Sequence, residues 1–248
     1  MKISVNVPTY NDSARIEEFV KNVKDIADEI LLIDNSTDDT VKIAKKASNK
    51  TRIIHYEPKD FAKIRNKGLE ETKNGWYVLY MDADELLSNG LIKEITELKK
   101  EKTTADAYLI KRSHYFKYPN GTAHLTTRMV NGEPKLARKG VIKFVGSMHE
   151  KAEYIVKDPV IKSLKNSTKH YPVLGKYIEG SKYLNMHVKE TIKNKTYTKE
   201  LLKLIKQLIK YIINFDYKPR YWKGNTILWF GTVKHIKNFI KEYKKELK

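Results

Sequence analysis

Apolar positions in the first third of the chain alternate between two rhythms. Ile3, Val5 and Val7 form a short run of strand character that turns at Pro8. After it, Ile16, Phe19, Val20, Val23, Ile26 and Ala27 recur three and four apart, the spacing of one helix face. Asn11, Asp12 or Ser13 can cap that helix. Glu29 to Ile33 is a second run of strand length, ending in Asp34, and the polar stretch Asn35 to Thr40 can cap a second helix through Ala44 and Ala47. Arg52 to Tyr56 predicts a third strand, Phe61, Ile64 and Leu69 a third helix, and Gly75 to Met81 a fourth strand. This alternation predicts a parallel sheet flanked by helices, with ligands in the crevice beyond the carboxyl ends of the strands.

Three polar stretches, Thr9 to Asp12, Asp34 to Asp39 and Asp82 to Glu85, each follow a strand and should therefore converge on one edge of the sheet. The third carries the most chemistry. Asp82-Ala83-Asp84-Glu85 comes directly after the apolar run Trp76 to Met81, and carboxylates are costly to bury unless they are paired or bind a cation. Carboxylates two apart on an extended strand face the same way. Hard ions such as Mg²⁺ or Mn²⁺ take such oxygen ligands, usually shared with phosphate. The segment therefore suggests a metal and diphosphate site, against the alternative of an acidic strand end or helix cap.

A helix is predicted near Leu91 to Lys99. The segment Ala105 to Val145 then turns strand-like, with Tyr108 and Ile110 alternating and Asn120-Gly121 and Asn131-Gly132 as hairpin signals. Antiparallel strands appended to a parallel core make a mixed sheet, and such an extension often carries the pocket of a second substrate. From about Tyr177 the chain reads helical and basic. Leu201, Leu204, Ile205, Leu208, Ile209, Ile212 and Ile213 form an apolar stripe opposite Lys199, Lys203, Lys206 and Lys210, a pattern that packs on a core or lies on a membrane. Ile227 to Leu247 combines Trp229, Phe230, Phe239, Ile240 and Tyr243 with a second lysine-rich face.

Composition narrows the function classes. The 248 residues suffice for one large domain or a domain with a small appendage, and 40% hydrophobic residues place the chain among globular proteins. The absence of cysteine excludes a disulfide framework, a thiolate nucleophile and a cysteine metal site. Met1 to Val7 lacks the long apolar region of a secretory signal, and no apolar stretch approaches the roughly 18 residues that span a bilayer. A cytoplasmic protein is expected. Forty-nine Lys and Arg against 30 Asp and Glu give a net charge of +19, a field that attracts nucleic acid, anionic headgroups or nucleotide diphosphates without choosing among them.

The ordered segments Ser4-Val5-Asn6-Val7-Pro8-Thr9-Tyr10-Asn11, Ile33-Asp34-Asn35-Ser36-Thr37-Asp38-Asp39-Thr40, Ile64-Arg65-Asn66-Lys67-Gly68 and Asp82-Ala83-Asp84-Glu85 resemble family 2 glycosyltransferases of the GT-A fold. The resemblance covers roughly the first half of the chain. It implies an α/β, Rossmann-like three-layer GT-A fold with a mixed central sheet. The catalytic domain would span residues 1–173, with a nucleotide-sugar half at 1–100 and an acceptor half at 101–173, followed by a basic helical extension at 174–248. It also implies an inverting enzyme that moves a sugar from a nucleotide-diphosphate donor, a UDP-sugar above all, to a glycan or lipid-linked acceptor with the help of Mn²⁺ or Mg²⁺.

Carried over position by position, Pro8, Thr9, Tyr10 and Asn11 would edge the nucleotide pocket and Asp34 would bond the base. Lys63 and Arg65 would lie near the nucleotide, Asp82 and Ala83 near the ribose and sugar, and Asp84 would hold the metal. An arginine offers a fixed fork to phosphate, although Arg65 can equally be a surface helix residue paired with a carboxylate, and Asp34 a helix cap. Gly146-Ser147-Met148-His149-Glu150 resembles the His-Glu pair found in many members where the acceptor approaches. Inversion needs a base for the acceptor hydroxyl, and Glu150 is the candidate, with His149 as the alternative or as a diphosphate or metal ligand. The familiar Glu-Asp base motif is not evident. His170 stands where GT-A enzymes often place a late histidine near the metal, and can otherwise be a solvated loop residue. His114, Tyr115, Tyr118 and Arg128 are acceptor-side candidates, or packing residues of the hairpin. The basic tail suggests peripheral contact with an anionic membrane on the cytoplasmic face.

Two other readings stay open. A nucleotidyltransferase would carry a Gly-rich loop after the first strand, where Pro8 to Asn11 stand here. A nucleic-acid-binding protein would give no reason for acidic clusters after three strands, so no nucleic acid is expected.

Overall fold

The computed structural model describes residues 1–57, 60–101, 105–117, 123–146, 150–171, 182–217 and 222–247, and for some positions within helices and strands the backbone alone. The opening half alternates as its patterning predicts: β1 (Ile3–Thr9), α1 (Ile16–Val23), β2 (Glu29–Asp34), α2 (Thr40–Ala47), β3 (Thr51–His55), α3 (Phe61–Glu71) and β4 (Tyr77–Tyr80). There follow β5 (Glu85–Leu87), α4 (Asn89–Lys100), β6 (Ala107–Lys117), β7 (Ala123–Arg138), β8 (Ile142–Val145), β9 (Lys151–Tyr154) and β10 (Ile161–His170), then α5 (Lys182–Lys193), α6 (Tyr197–Tyr217) and α7 (Trp222–Glu246). Eight strands join one sheet in the order β3-β2-β1-β4-β7-β6-β10-β5, and β8 and β9 pair separately. β3, β2, β1 and β4 run parallel, whereas β7 is antiparallel to β4 and β5 antiparallel to β10. The sheet is mixed, as expected.

Strands covered on both faces read as nearly continuous apolar runs, and the two faces separate cleanly here. Ile3, Val5, Val7, Ile30, Leu32, Leu79 and Met81 point into a core shared with Phe19, Val20 and Val23 of α1, Ala44 of α2 and Leu91 and Ile95 of α4. The alternate residues Leu31 and Ile33 meet Ile64 of α3. Val78 and Tyr80 meet Ala62 and Phe144. The three-layer α/β arrangement thus follows from period-two alternation in strands whose two faces are both buried. Gly68 lets α3 approach β1 closely, since a Cβ there would come within 3.0 Å of the Asn6 amide nitrogen.

Several local expectations change. Helix α1 stops at Val23, with Ile26 and Ala27 buried just beyond it, and no side chain caps its start. Two of the expected capping side chains are used elsewhere: the Asp12 carboxylate accepts from the Tyr10 N–H at 3.0 Å and pairs with Arg15, and the Asn11 side-chain oxygen accepts from the Thr37 N–H. Asn131-Gly132 is not a hairpin but part of β7, and a Cβ on Gly132 would come within 2.9 Å of Leu109 Cβ, so close strand packing accounts for that glycine. Asn120-Gly121 lies outside the described residues. Strand β5 was not foreseen.

By internal contacts the chain forms two compact units, Met1–Ser113 with Met129–His170, and His114–Arg128 with Tyr171–Lys248. In the second unit α5, α6 and α7 share a core of Leu184, Val188, Leu204 and Phe239. The Tyr197 ring stacks 3.7 Å from Tyr243 and 5.5 Å from Phe239. Among the described residues no helix is long and apolar enough to cross a membrane.

Candidate active site

The parallel register sets Thr9 beside Asp34 at the carboxyl ends of β1 and β2. Thr9 Oγ1 donates to Asp34 Oδ1 at 2.7 Å, as does Ser36 Oγ, and the Ser36 N–H reaches Asp34 Oδ2 at 3.2 Å. Asp34 is 1% exposed, a buried carboxylate held by hydroxyls and an amide. Asn11 adopts φ 54°, which Asn tolerates better than most side chains. In that conformation its N–H donates to Ser36 Oγ, and its side-chain oxygen accepts from the Thr37 N–H at 2.9 Å. The first two polar stretches are thereby knitted into one rim. Tyr10 projects from it, 57% exposed. Lys63, in the first turn of α3, pairs with Asp60.

The third stretch departs from the sequence argument. β4 ends at Tyr80, and Asp82 to Asp84 form a turn closed by the Glu85 N–H donating to Asp82 O. The rule that carboxylates two apart on an extended strand share a side does not apply to a turn, and the two acids take different partners. Ala83 packs its methyl group into the core. Asp82 accepts from Arg65 Nη2 at 2.6 Å, and Asp84 Oδ1 lies 3.3 Å from His170 Nε2. The second contact follows from register, since β10 places His170 opposite Glu85 of β5. His170 ends a strand and is not a loop residue.

Arg65 joins residues far apart in the chain. Its Nε donates to Glu150 Oε1 at 2.7 Å while Nη2 holds Asp82, and the guanidinium lies 5.3 Å from the centroid of the Tyr80 ring and 5.6 Å from that of Phe144. Burial opposes the guanidinium charge, but Asp82 and Glu150 outweigh that cost and push its pKa up. Arg65 is thus a helix residue paired with carboxylates, as the alternative reading has it, but it is buried and bridges two of them.

A second network, which sequence reasoning missed, lies beside it. Glu85 is fully buried and accepts from Lys135 Nζ at 2.7 Å, with Lys135 1% exposed. Arg112 Nη1 is 3.2 Å from Glu85 Oε1 and 3.9 Å from Asp82 Oδ2, and Nη2 is 3.4 Å from Glu133. A partial signal existed: Arg112 and His114 continue the phase of Tyr108 and Ile110, so a charged residue falls on the inward side of an alternating strand. Nothing comparable marks Lys135.

Asp12 belongs to the same neighbourhood. Burial pushes its carboxyl pKa up, opposed by the Tyr10 amide and Arg15, and the charges of Asp84 and Asp38 add to the rise. Among the described residues Asp84 Oδ1 is buried and accepts no hydrogen bond. Asp84 and His170 are a carboxylate and an imidazole in contact; the carboxylate is the donor that Mn²⁺ or Mg²⁺ takes beside diphosphate and water, while the imidazole is a softer donor than Mg²⁺ prefers. Among the described residues no group of three or more acidic or histidine side chains could hold a metal by itself, so the fit is to an ion shared with a ligand. His149 and Tyr118 lie outside the described residues, as does the side chain of Arg128. His114 is buried, and the Tyr115 ring lies 5.7 Å from that of Tyr171.

Residues 4–150 match the model of the family described as glycosyl transferase family 2. The chain belongs to glycosyl transferase family 2. Among curated relatives it is 41% identical over 97 residues to an uncharacterized glycosyltransferase of Rickettsia bellii, covering 38% of this chain and 31% of that one. It is 32% identical over 152 residues to the SPbeta prophage-derived glycosyltransferase SunS of Bacillus subtilis, covering 60% and 34%. The chain spans about a third of the length of these relatives. Among solved structures, Staphylococcus aureus TarS aligns with a TM-score of 0.45 at 20% identity, over 77% of this chain and 40% of that one.

Proposed function

We propose that the protein transfers a sugar, with inversion, from a nucleotide-diphosphate donor, UDP-linked in the first instance, to a hydroxyl of a glycan or lipid-linked acceptor. The observation that carries this reading is the Asp82–Arg65–Glu150 bridge in the same turn as Asp84, whose buried Oδ1 lies 3.3 Å from His170 Nε2. Family membership supplies the reaction class. Thr9, Tyr10, Asn11 and Asp34 receive the nucleotide, with the exposed Tyr10 ring beside the base. Asp82 orients the ribose and sugar, and Arg65 fixes the angle between Asp82 and Glu150. Glu150 takes the acceptor proton through Oε2, its Oε1 being held by Arg65. The acceptor oxygen then bonds to the anomeric carbon as the bond to the diphosphate breaks. Asp84 and His170 would hold the divalent ion, which when bound supplies positive charge against that developing on the leaving diphosphate. His149 is the second candidate for the base. We place the acceptor at an anionic membrane surface on the cytoplasmic side.

The test is release of nucleoside diphosphate from a panel of nucleotide sugars with Mn²⁺ or Mg²⁺, comparing wild type with Asp84→Asn. The variant is expected to lose activity while its unfolding free energy stays level or rises by about 1 kcal/mol, because a buried acid beside Asp12 is a functional expense. Near-wild-type turnover in folded Asp84→Asn would refute the assignment.

A further inference from the structure

The net positive charge is not spread evenly. Residues 182–248 carry seventeen Lys and Arg against five Asp and Glu, so about a quarter of the chain supplies twelve of the nineteen net charges. Within this segment α6 divides its apolar residues between two directions. Leu204 is buried in the core shared with α5 and α7. Leu202, Ile205 and Ile209 are instead 52%, 38% and 48% exposed. At 3.6 residues per turn these three fall on one strip of the helix, with Lys199, Lys203 and Lys206, all exposed, along the side away from Leu204. Single exposed aliphatic residues are ordinary. Three in line on one helix, bordered by cations, are an amphipathic surface of the kind that lies in a membrane interface. The stripe is therefore split, part packed in the helical bundle and part turned outward.

We infer that the exposed strip Leu202-Ile205-Ile209, with Lys199, Lys203 and Lys206 beside it, is a docking surface for an anionic lipid bilayer. Charge complementarity selects this occupant. Lysines attract acidic headgroups from a distance, and the aliphatic side chains reach just below them into the acyl boundary. Nucleic acid would satisfy the lysines but leave the aliphatic strip in water. A second copy of the same surface would set lysine against lysine. The surface deepens the proposed placement of the acceptor. It is tested by binding and not by turnover, so failure here and failure of the transferase reading are separately visible.

The experiment is co-sedimentation of the full chain with phosphatidylcholine vesicles and with vesicles of phosphatidylcholine mixed with phosphatidylglycerol. Wild type is expected to pellet with the mixed vesicles, weakly with neutral ones, and less as salt rises. Lys203→Gln/Lys206→Gln should weaken partitioning roughly 30-fold, each lysine near an acidic surface being worth about fivefold. Leu202→Ser/Ile205→Ser/Ile209→Ser should abolish retention at all salt concentrations while far-ultraviolet circular dichroism and nucleoside diphosphate release match wild type. Any of three results would overturn the proposal: no pelleting with acidic vesicles at low salt, a serine variant that binds like wild type, or an oligonucleotide mobility shift without vesicle binding. A wild-type dimer that the serine variant converts to monomer would show that a second copy covers the strip, and would overturn it too.

Discussion

Replacing Arg65 probes the core of the site most directly. The side chain is 9% exposed and spends Nη2 on Asp82 and Nε on Glu150, at 2.6 and 2.7 Å. Hydrogen bonds to charged groups contribute about 1.5–3 kcal/mol each when solvent cannot replace them. Glu150 is 15% exposed, so its bond should lie in that range, at about 2 kcal/mol. Asp82 is 34% exposed, water competes for it, and about 1 kcal/mol is expected. Lysine keeps the charge but is a point donor that cannot reach both acids in the plane of a fork. Arg65→Lys should therefore cost about 1–2 kcal/mol in stability and more in turnover, because a carboxylate displaced by about an ångström can cost on the order of 100-fold. The assay is a pair of double-mutant cycles by urea unfolding, Arg65→Met with Glu150→Gln and Arg65→Met with Asp82→Asn. Each is read as the coupling energy beside donor hydrolysis by the same variants. The coupling to Glu150 should exceed that to Asp82. If both couplings fall below about 0.5 kcal/mol, the level of independent sites, the bridge does not organise the site.

Other perturbations read other parts of the structure. Lys135→Met leaves fully buried Glu85 with Arg112 as its remaining cation among the described residues and should cost about 3 kcal/mol, with part regained when Glu85→Gln is added; an unchanged urea midpoint would sink this. His235 is 6% exposed, and burial, helped by His187, lowers its pKa to about 4, so between that pH and the ordinary histidine value it is neutral when folded and takes up a proton on unfolding. Its contribution is present above about pH 6.5, the ordinary histidine value, and is lost as pH falls toward 4, on the order of 3 kcal/mol in all. Thermal unfolding between pH 7 and 4 should show that slope in wild type and a shallower one in His235→Leu. Gly132→Ala should destabilise by about 1–3 kcal/mol, because its methyl group would meet Leu109 Cβ at 2.9 Å; a neutral effect would mean that the strands can move apart.

Patterning by itself determined the strand and helix alternation, the buried strands and the placement of three polar stretches beyond strand ends, because each depends on neighbours a few residues away. It also grouped Thr9, Asp34 and Asp82 at one sheet edge, since parallel strands joined by helices leave their carboxyl ends together. Side-chain pairing was decided by tertiary structure. Whether Asp82 and Asp84 share a side depends on where β4 stops, and β4 stops at Tyr80 because the chain turns there to feed β5. That Arg65 holds Glu150, 85 residues away, follows from α3 docking on β8, where Asn66 bonds the Phe144 backbone, and that His170 meets Asp84 follows from the pairing of β10 with β5; no local spacing encodes either. The buried Lys135 shows the same limit. A lysine in a strand reads as surface until the fold brings a carboxylate to it, since only the partner makes its burial tolerable. The split of the α6 stripe into packed and exposed strips was likewise set by which neighbours α5 and α7 placed against it.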